Sequence, residues 1–215
     1  MARIVETTVY DFAELSDPAK DKARTWFRES WVNSWDWWDS VYDDFAEICR
    51  ILGITLAASP VRLMGGGLRQ DPRIYFRGFS SQGDGACYEG HYAYAAHAGR
   101  QIRSYAPQDA KLHAIADALQ AVQRRNFYQL AASFRHRGHY CHAYSMDFDV
   151  ERDSPTRQPM TADAETAVVE ALRDLAHWLY RQLLTEYEYL TSDEAVDDGI
   201  AANSYTFTET GRHFG

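Results

Sequence analysis

Phe76-Arg77-Gly78-Phe79-Ser80-Ser81-Gln82-Gly83-Asp84-Gly85-Ala86-Cys87-Tyr88-Glu89-Gly90 is the stretch whose reading decides the fold. An aromatic run enters, small polar residues turn it, and a tyrosine-rich run leaves. Strands are therefore expected over residues 73–79 and 86–95, with Tyr88, Tyr92 and Tyr94 on one face by the period of two. A connection this short joins its strands antiparallel. Gly83 and Gly85 permit positive φ on either side of Asp84, which suits a tight turn or a bulge.

Working outward towards the start, residues 54–56 read as a short strand. Residues 60–72, with Gly65-Gly66-Gly67, read as a mobile loop. The triple glycine lacks the lysine and following helix of a phosphate-binding loop. Before it, Trp38, Val41, Phe45, Ile48 and Leu52 step by three and four along a helix that Gly53 is placed to end. Its opposite face carries Asp36, Asp39, Asp43, Asp44 and Glu47. An earlier helix opens at Asp17-Pro18 and runs through Ala19, Ala23, Trp26, Phe27 and Trp31 to a polar break at Asn33-Ser34. Residues 3–11 alternate as a strand. The crowding of Trp26, Trp31, Trp35, Trp37 and Trp38 marks an aromatic core seam or, less simply, a stacking surface.

Towards the other end, residues 96–107 read as a basic, irregular connection. A helix over 109–125 turns Leu112, Ile115, Leu119 and Val122 inward. Residues 128–137 and 139–151 read as a hairpin turning at Arg137-Gly138, with Tyr140, His142, Tyr144, Met146, Phe148 and Val150 on one face. Thr161 caps the longest helix, which reaches about Tyr189 on a seam of Val168, Leu172, Leu175, Leu179 and Leu183. Thr191 and Glu194 have capping-box spacing for a last short helix, and residues 205–209 return as an edge strand. Hairpins imply antiparallel pairing, and a one-faced sheet needs helices over it. The expectation is one α+β domain over residues 1–215, with a mainly antiparallel sheet of five or six strands packed against helices. A chain of 215 residues buries enough surface to fold with no disulfide or metal.

A net charge of −9 repels phosphate, so nucleic acid is disfavoured as a partner. A basic stripe of Arg100, Arg103, Arg124, Arg125, Arg135 and Arg137 would need all six on one face. No apolar run is long enough to span a bilayer. Three cysteines, Cys49, Cys87 and Cys141, are an odd number in a chain with no secretory leader, which points to reduced thiols in a cytoplasm.

Candidate chemistry centres on the opening turn. Asp84 and the serines can bond their own backbone and hold the turn. Alternatively, Ser81, Gln82, Asp84 and Glu89 form a polar recognition loop, and Gln82 has no turn-forming role to explain it. A second cluster is His136-x-x-His139-x-Cys141-His142. Side chains three apart on a strand point to opposite faces, so this is no ready-made metal pair, and Cys87 and Cys141 close a zinc site only if their strands are neighbours. The simpler reading is solvated histidines near a turn. Asp84 or Glu89 with His139 or His142 offers an acid–base pair, the basis of an alternative hydrolase or metal-dependent enzyme. There is no G-x-S-x-G elbow, no H-E-x-x-H and no dinucleotide fingerprint. The acidic cluster Glu186, Glu188, Asp193, Glu194, Asp197 and Asp198, interleaved with Tyr187 and Tyr189, suits electrostatic steering towards a basic surface.

Four segments, Phe79-Ser80-Ser81-Gln82-Gly83-Asp84-Gly85-Ala86-Cys87, Gln123-Arg124-Arg125-Asn126-Phe127-Tyr128, Arg137-Gly138-His139-Tyr140 and Glu186-Tyr187-Glu188-Tyr189-Leu190-Thr191-Ser192, carry a resemblance. They resemble a family of phage and prophage proteins labelled antitoxin-like, of a toxin–antitoxin stability system, from about Val9 to Phe214. The resemblance implies a mobile-element accessory protein that binds a macromolecule of the host or of a rival element, as an antitoxin or as an anti-CRISPR or other anti-defence inhibitor. It brings no catalytic residues. The expected function is thus non-enzymatic inhibition without a cofactor. The contact residues are expected to be Ser81, Gln82, Asp84, Glu89, Asp39, Asp43, Glu188 and Asp193. The expected partner is a protein with a basic surface, a toxin or a host defence complex.

Overall fold

The computed structural model describes residues 6–32 and 36–215, with the side chains of Trp31 and Val32 outside the description. The start of the first expected strand, the break at Asn33-Ser34, and the placement of the Trp31 and Trp35 side chains therefore lie outside the described residues. The chain is α+β with antiparallel sheets, as expected. It packs as two compact units: the described residues up to Asp39 with Thr185–Gly215, and Ser40–Leu184.

The terminal unit is built from both ends of the chain. Strand β1 (Tyr10–Asp11) pairs with β10 (Thr206–Phe207), which also pairs with β11 (His213–Phe214), so the segment read as an edge strand lies at the centre of this small sheet. Helix α1 (Asp17–Val32) and helix α6 (Asp193–Ala202) close its core of Leu15, Ala19, Ala23, Phe27, Val196, Ile200 and Phe207. Arg24 grips Asp197 with two bonds of 2.7 Å, and Arg28 donates to the Thr191 carbonyl and to Asp193. Trp26 stacks on His213 at 3.8 Å, and Trp37 is buried beside Trp38 and Tyr187. These tryptophans serve packing, the simpler of the two sequence readings.

In the central unit, strands β2 (Ile54–Leu56), β7 (Gly90–Ala93), β8 (Leu130–His136) and β9 (Met146–Arg152) form a sheet in the order β2-β7-β8-β9. Two ribbons accompany it: β3 (Ala58–Arg62) with β4 (Leu68–Pro72), and β5 (Ile74–Arg77) with β6 (Gly85–Tyr88). The expected strands are thus shared among several sheets rather than gathered in one. The reason is a junction. Three extended segments bend at Ala57, Arg73 and Glu89, and each changes partner there. The Ala57 N–H donates to the Glu89 carbonyl (2.9 Å), Arg73 N–H to the Ala57 carbonyl (2.7 Å), and Glu89 N–H to the Arg73 carbonyl (3.0 Å). This closed ring of backbone bonds leaves no donor orphaned where the ladders diverge.

The segment expected to be a mobile loop is the β3–β4 ribbon. Both of its strands are edges, so Pro60 costs no ladder bond that a central strand would need. Its turn leaves Leu63, Met64 and Leu68 exposed.

Helices α4 (Ala110–Arg125) and α5 (Ala164–Leu190) bury the apolar seams that their spacing predicts, and α2 (Asp39–Leu52) buries Phe45, Ile48 and Leu52 of its seam, with Val41 half-buried and Trp38 before its first turn. Phe45 of α2 packs on Tyr88, whose hydroxyl donates to the Leu172 carbonyl of α5 (2.9 Å). Gln123 of α4, fully buried, bonds Tyr92 and both backbone groups of Leu130. The stretch read as irregular contains a further helix, α3 (Ala98–Tyr105). Its glycine and polar residues give little local propensity. The burial of Ile102 and an Arg103–Asp117 ion pair hold it instead.

Asp109 holds two helices at once. It caps α4 by accepting from Leu112 N–H (2.9 Å) and accepts the Trp178 indole N–H of α5 (2.7 Å). Asp109→Ala is expected to cost roughly 2 kcal/mol, the lost cap plus an unpaired buried indole. Urea melting checks it. A loss of only a few tenths would mean that the indole finds another acceptor.

Candidate functional site

The turn that opened the sequence reading is crossed by a second segment. Residues 137–145 do not continue strand β9, as expected, but form a loop ending in a 3₁₀ turn over Ala143–Ser145. The alternating Tyr140, His142 and Tyr144 imitate a strand, yet the backbone turns at His142, whose Nδ1 accepts from Tyr144 N–H (3.1 Å). This loop lies directly on the turn. Cys141 N–H donates to the Gly83 carbonyl (3.2 Å). A Cβ at Gly85 would stand 2.4 Å from the Cys141 carbonyl oxygen, and one at Gly83 would stand 1.9 Å from the Tyr140 ring. Gly83 also has a φ of 87°. Both glycines are thus demanded by close approach, and at Gly83 by backbone conformation too.

Asp84 holds the turn, one of the two roles read for it. Its Oδ2 accepts from Ser80 N–H (3.0 Å) and Ser81 N–H (2.6 Å). Ser81 and Gln82 remain exposed at the tip. On the Asp84–Ala86 side, a cleft of about 290 Å³ is lined by Asp84, His142, Tyr144, His177 and Tyr180. Burial, with the Asp84 carboxylate nearby, raises the pKa of the Tyr180 hydroxyl above its ordinary value. Tyr144 is 70% exposed and Tyr140 50%. Sequence reasoning missed His177 and Tyr180, which come from α5, where the apolar seam dominates the pattern. Their spacing of three, flanking that seam, was the available signal.

The other side of β6 carries Cys87, since successive side chains alternate. Cys87, His136 at the end of β8, and Cys141 in the crossing loop bring one sulfur or nitrogen atom each to within 4.8 Å of one another. The sequence required neighbouring strands to bring Cys87 and Cys141 together; Cys141 lies in no strand, and the crossing loop brings it to Cys87 instead. Burial pushes the Cys87 thiol up to about 12, with Cys141 raising it further and Ser145 opposing. A thiol so held is no ready nucleophile. The His136 ring packs on Tyr75 at 4.8 Å, and its Nε2 meets the Tyr140 carbonyl at 2.9 Å.

Glu89 is buried at the strand junction and not displayed in the recognition loop. Its carboxylate accepts from Arg73 (2.9 Å) and Tyr75 (3.2 Å). Burial raises its pKa, but the bonds from Arg73, Tyr75 and the His136 backbone N–H outweigh that and hold it below the usual range. Asp84 and His142 share the cleft, whereas Glu89 is engaged elsewhere and His139 is exposed, with its carbonyl bound by Arg77. The four residues of the enzymatic alternative are therefore not brought to one point.

Asp43 is exposed on α2 of the central unit, while Asp39, Glu188 and Asp193 belong to the terminal unit, where Asp193 pairs with Arg28. Of the six arginines of the basic-stripe reading, Arg103, Arg125 and Arg137 are paired with Asp117, Asp163 and Asp147. Across the open face of the sheet, Thr55, His91, Ser133 and Asp149 stand in register, with Ser133 Oγ 3.3 Å from His91 Nδ1. A hydrolytic triad needs the carboxylate beyond the imidazole, but here Asp149 flanks the serine and Thr55 flanks the histidine. This row is a cross-strand polar ladder.

Among the described residues, no helix is long and apolar enough to cross a membrane. No curated protein and no solved structure matches the chain. A family model matches residues 37–193, more than half of the chain and the whole of the central unit. The chain belongs to that family, which is described as a domain of unknown function (DUF8835).

Proposed function

We propose that the protein is a non-enzymatic binding protein that docks on another protein through the surface around Asp84. The observation that supports this is the cleft between the turn, the crossing loop and α5, walled by Tyr144, Tyr180, His142 and His177 with Asp84 among them. Exposed tyrosines beside a small pocket are the usual anchors of protein interfaces. A space of about 290 Å³ suits one side chain of a partner better than a cofactor. A carboxylate beside the Tyr180 ring favours a lysine or arginine there by charge, while the Tyr144 ring is already met by the chain's own Arg173 at 5.1 Å. That chemistry fits a partner with a basic surface met by an acidic chain. Inhibition of a toxin or of a host defence complex in the cytoplasm, as an antitoxin or anti-CRISPR protein, is the form the family resemblance implies.

Affinity capture from a host lysate, compared between the wild type and Tyr144→Ala or His177→Ala, tests the reading. Both side chains are exposed, so folding should be unaffected. The captured protein should bind roughly tenfold or more weakly to each variant. Its binding to the wild type should also fall between low and moderate salt. Undiminished capture by both variants would remove the surface from consideration.

A further inference from the structure

We propose that Cys87, His136 and Cys141 form a binding site for a thiophilic divalent metal ion, zinc foremost. This does not depend on the partner-binding reading, since the site faces the other side of β6. The three donor atoms lie within 4.8 Å of one another. In a tetrahedral zinc site, with bonds of about 2.3 Å to sulfur and 2.0 Å to nitrogen, ligand atoms sit about 3.3–3.8 Å apart. The donors need to close by about 1 Å, a movement within the reach of side-chain rotation at half-buried His136 and Cys141.

The surroundings are those of a built site. Glycine at position 85 lets the Cys141 backbone approach β6 closely enough to set its sulfur beside Cys87. The Tyr140 carbonyl can only accept, so His136 Nε2 carries the proton toward it, which leaves the Nδ1 lone pair as the ligand. The Tyr75 ring packs on the His136 imidazole, which orients that donor. Two sulfurs and one imidazole select zinc over magnesium or calcium, which take oxygen ligands. Three protein donors leave the fourth position for water or an incoming ligand. On binding, the two thiol protons pass to solvent. The metal would pin residues 136–141 to β6 and so brace the crossing loop.

Cobalt titration of the chelator-stripped, reduced full chain tests this. One cobalt ion per chain should bind, with thiolate charge-transfer bands and the strong visible absorption of tetrahedral cobalt, and zinc should bleach them. Cys141→Ser and His136→Ala should each weaken binding more than about tenfold. Zinc should raise the melting temperature of the wild type but not of these variants. Cys49→Ala, which removes the buried thiol outside the cluster, should bind as the wild type does. Cobalt bound without thiolate bands would overturn the proposal, as would a Cys141→Ser variant that titrates unchanged. A Cys87–Cys141 disulfide in protein purified from a reducing cell would do the same.

Discussion

Glu89→Ala should lower the stability of the protein by roughly 2–3 kcal/mol, or about 5–10 °C in melting temperature for a chain of this size. Two side-chain donors meet at this carboxylate: the Arg73 guanidinium and the Tyr75 hydroxyl. The alanine leaves both without that acceptor at the point where three strand ladders change partner. The Arg73 side chain is 43% exposed, and water rescues it in part, which keeps the estimate below the cost of breaking a fully buried pair. Glu89→Gln keeps an acceptor oxygen and should lose only about 1 kcal/mol. The opposite substitution, Arg73→Ala, strands a carboxylate that is only 11% exposed, and should cost at least as much as Glu89→Ala. Urea melting of the three variants checks the order. If Glu89 served recognition or catalysis, Glu89→Ala would spare stability and abolish binding or activity; an unchanged melting curve would return it to that role.

The elements that the sequence disclosed are those whose cause is local. The seams of α4 and α5 repeat with the helical period, and every residue named for them is buried. Asp109, read as the first residue of the helix over 109–125, is the cap of α4, one residue before its start. The readings that failed have tertiary causes. Helix α3 is weak by propensity and is held by Ile102 in the core. The β3–β4 ribbon has no apolar alternation because both its faces are largely exposed, so pairing left no pattern to read. The junction at Ala57, Arg73 and Glu89 is made of backbone bonds, to which side-chain patterns are blind. The site divides the same way. The glycine-flanked turn stood out from its composition, and so did the cysteines and histidines. What composition does not carry is a crossing: that residues 137–145 lie over Gly83 and Gly85, bringing Cys141 to Cys87 on one side and Tyr144 towards Tyr180 on the other.

That crossing is open to a direct test, because Gly85→Ala should cost roughly 3 kcal/mol, the upper end of what overpacking a tight interior does. The added methyl would lie 2.4 Å from the Cys141 carbonyl oxygen, 2.9 Å from His142 Cβ and 3.1 Å from His142 Cα. Two of these atoms are backbone and none ends a flexible side chain, so no rotamer change makes room. The loop must lift from β6 or the turn must deform. Gly65→Ala in the tip of the β3–β4 ribbon meets nothing within 4 Å and should shift stability by no more than about 0.5 kcal/mol, which controls for the substitution itself. Lifting the loop should also expose the thiols of Cys87 and Cys141, so a thiol reagent should label Gly85→Ala faster than the wild type in native buffer. The two readouts together locate the damage. Lost stability with unchanged labelling would mean that the turn deforms while the loop stays seated, and unchanged stability would mean that the two segments do not touch at Gly85 in solution.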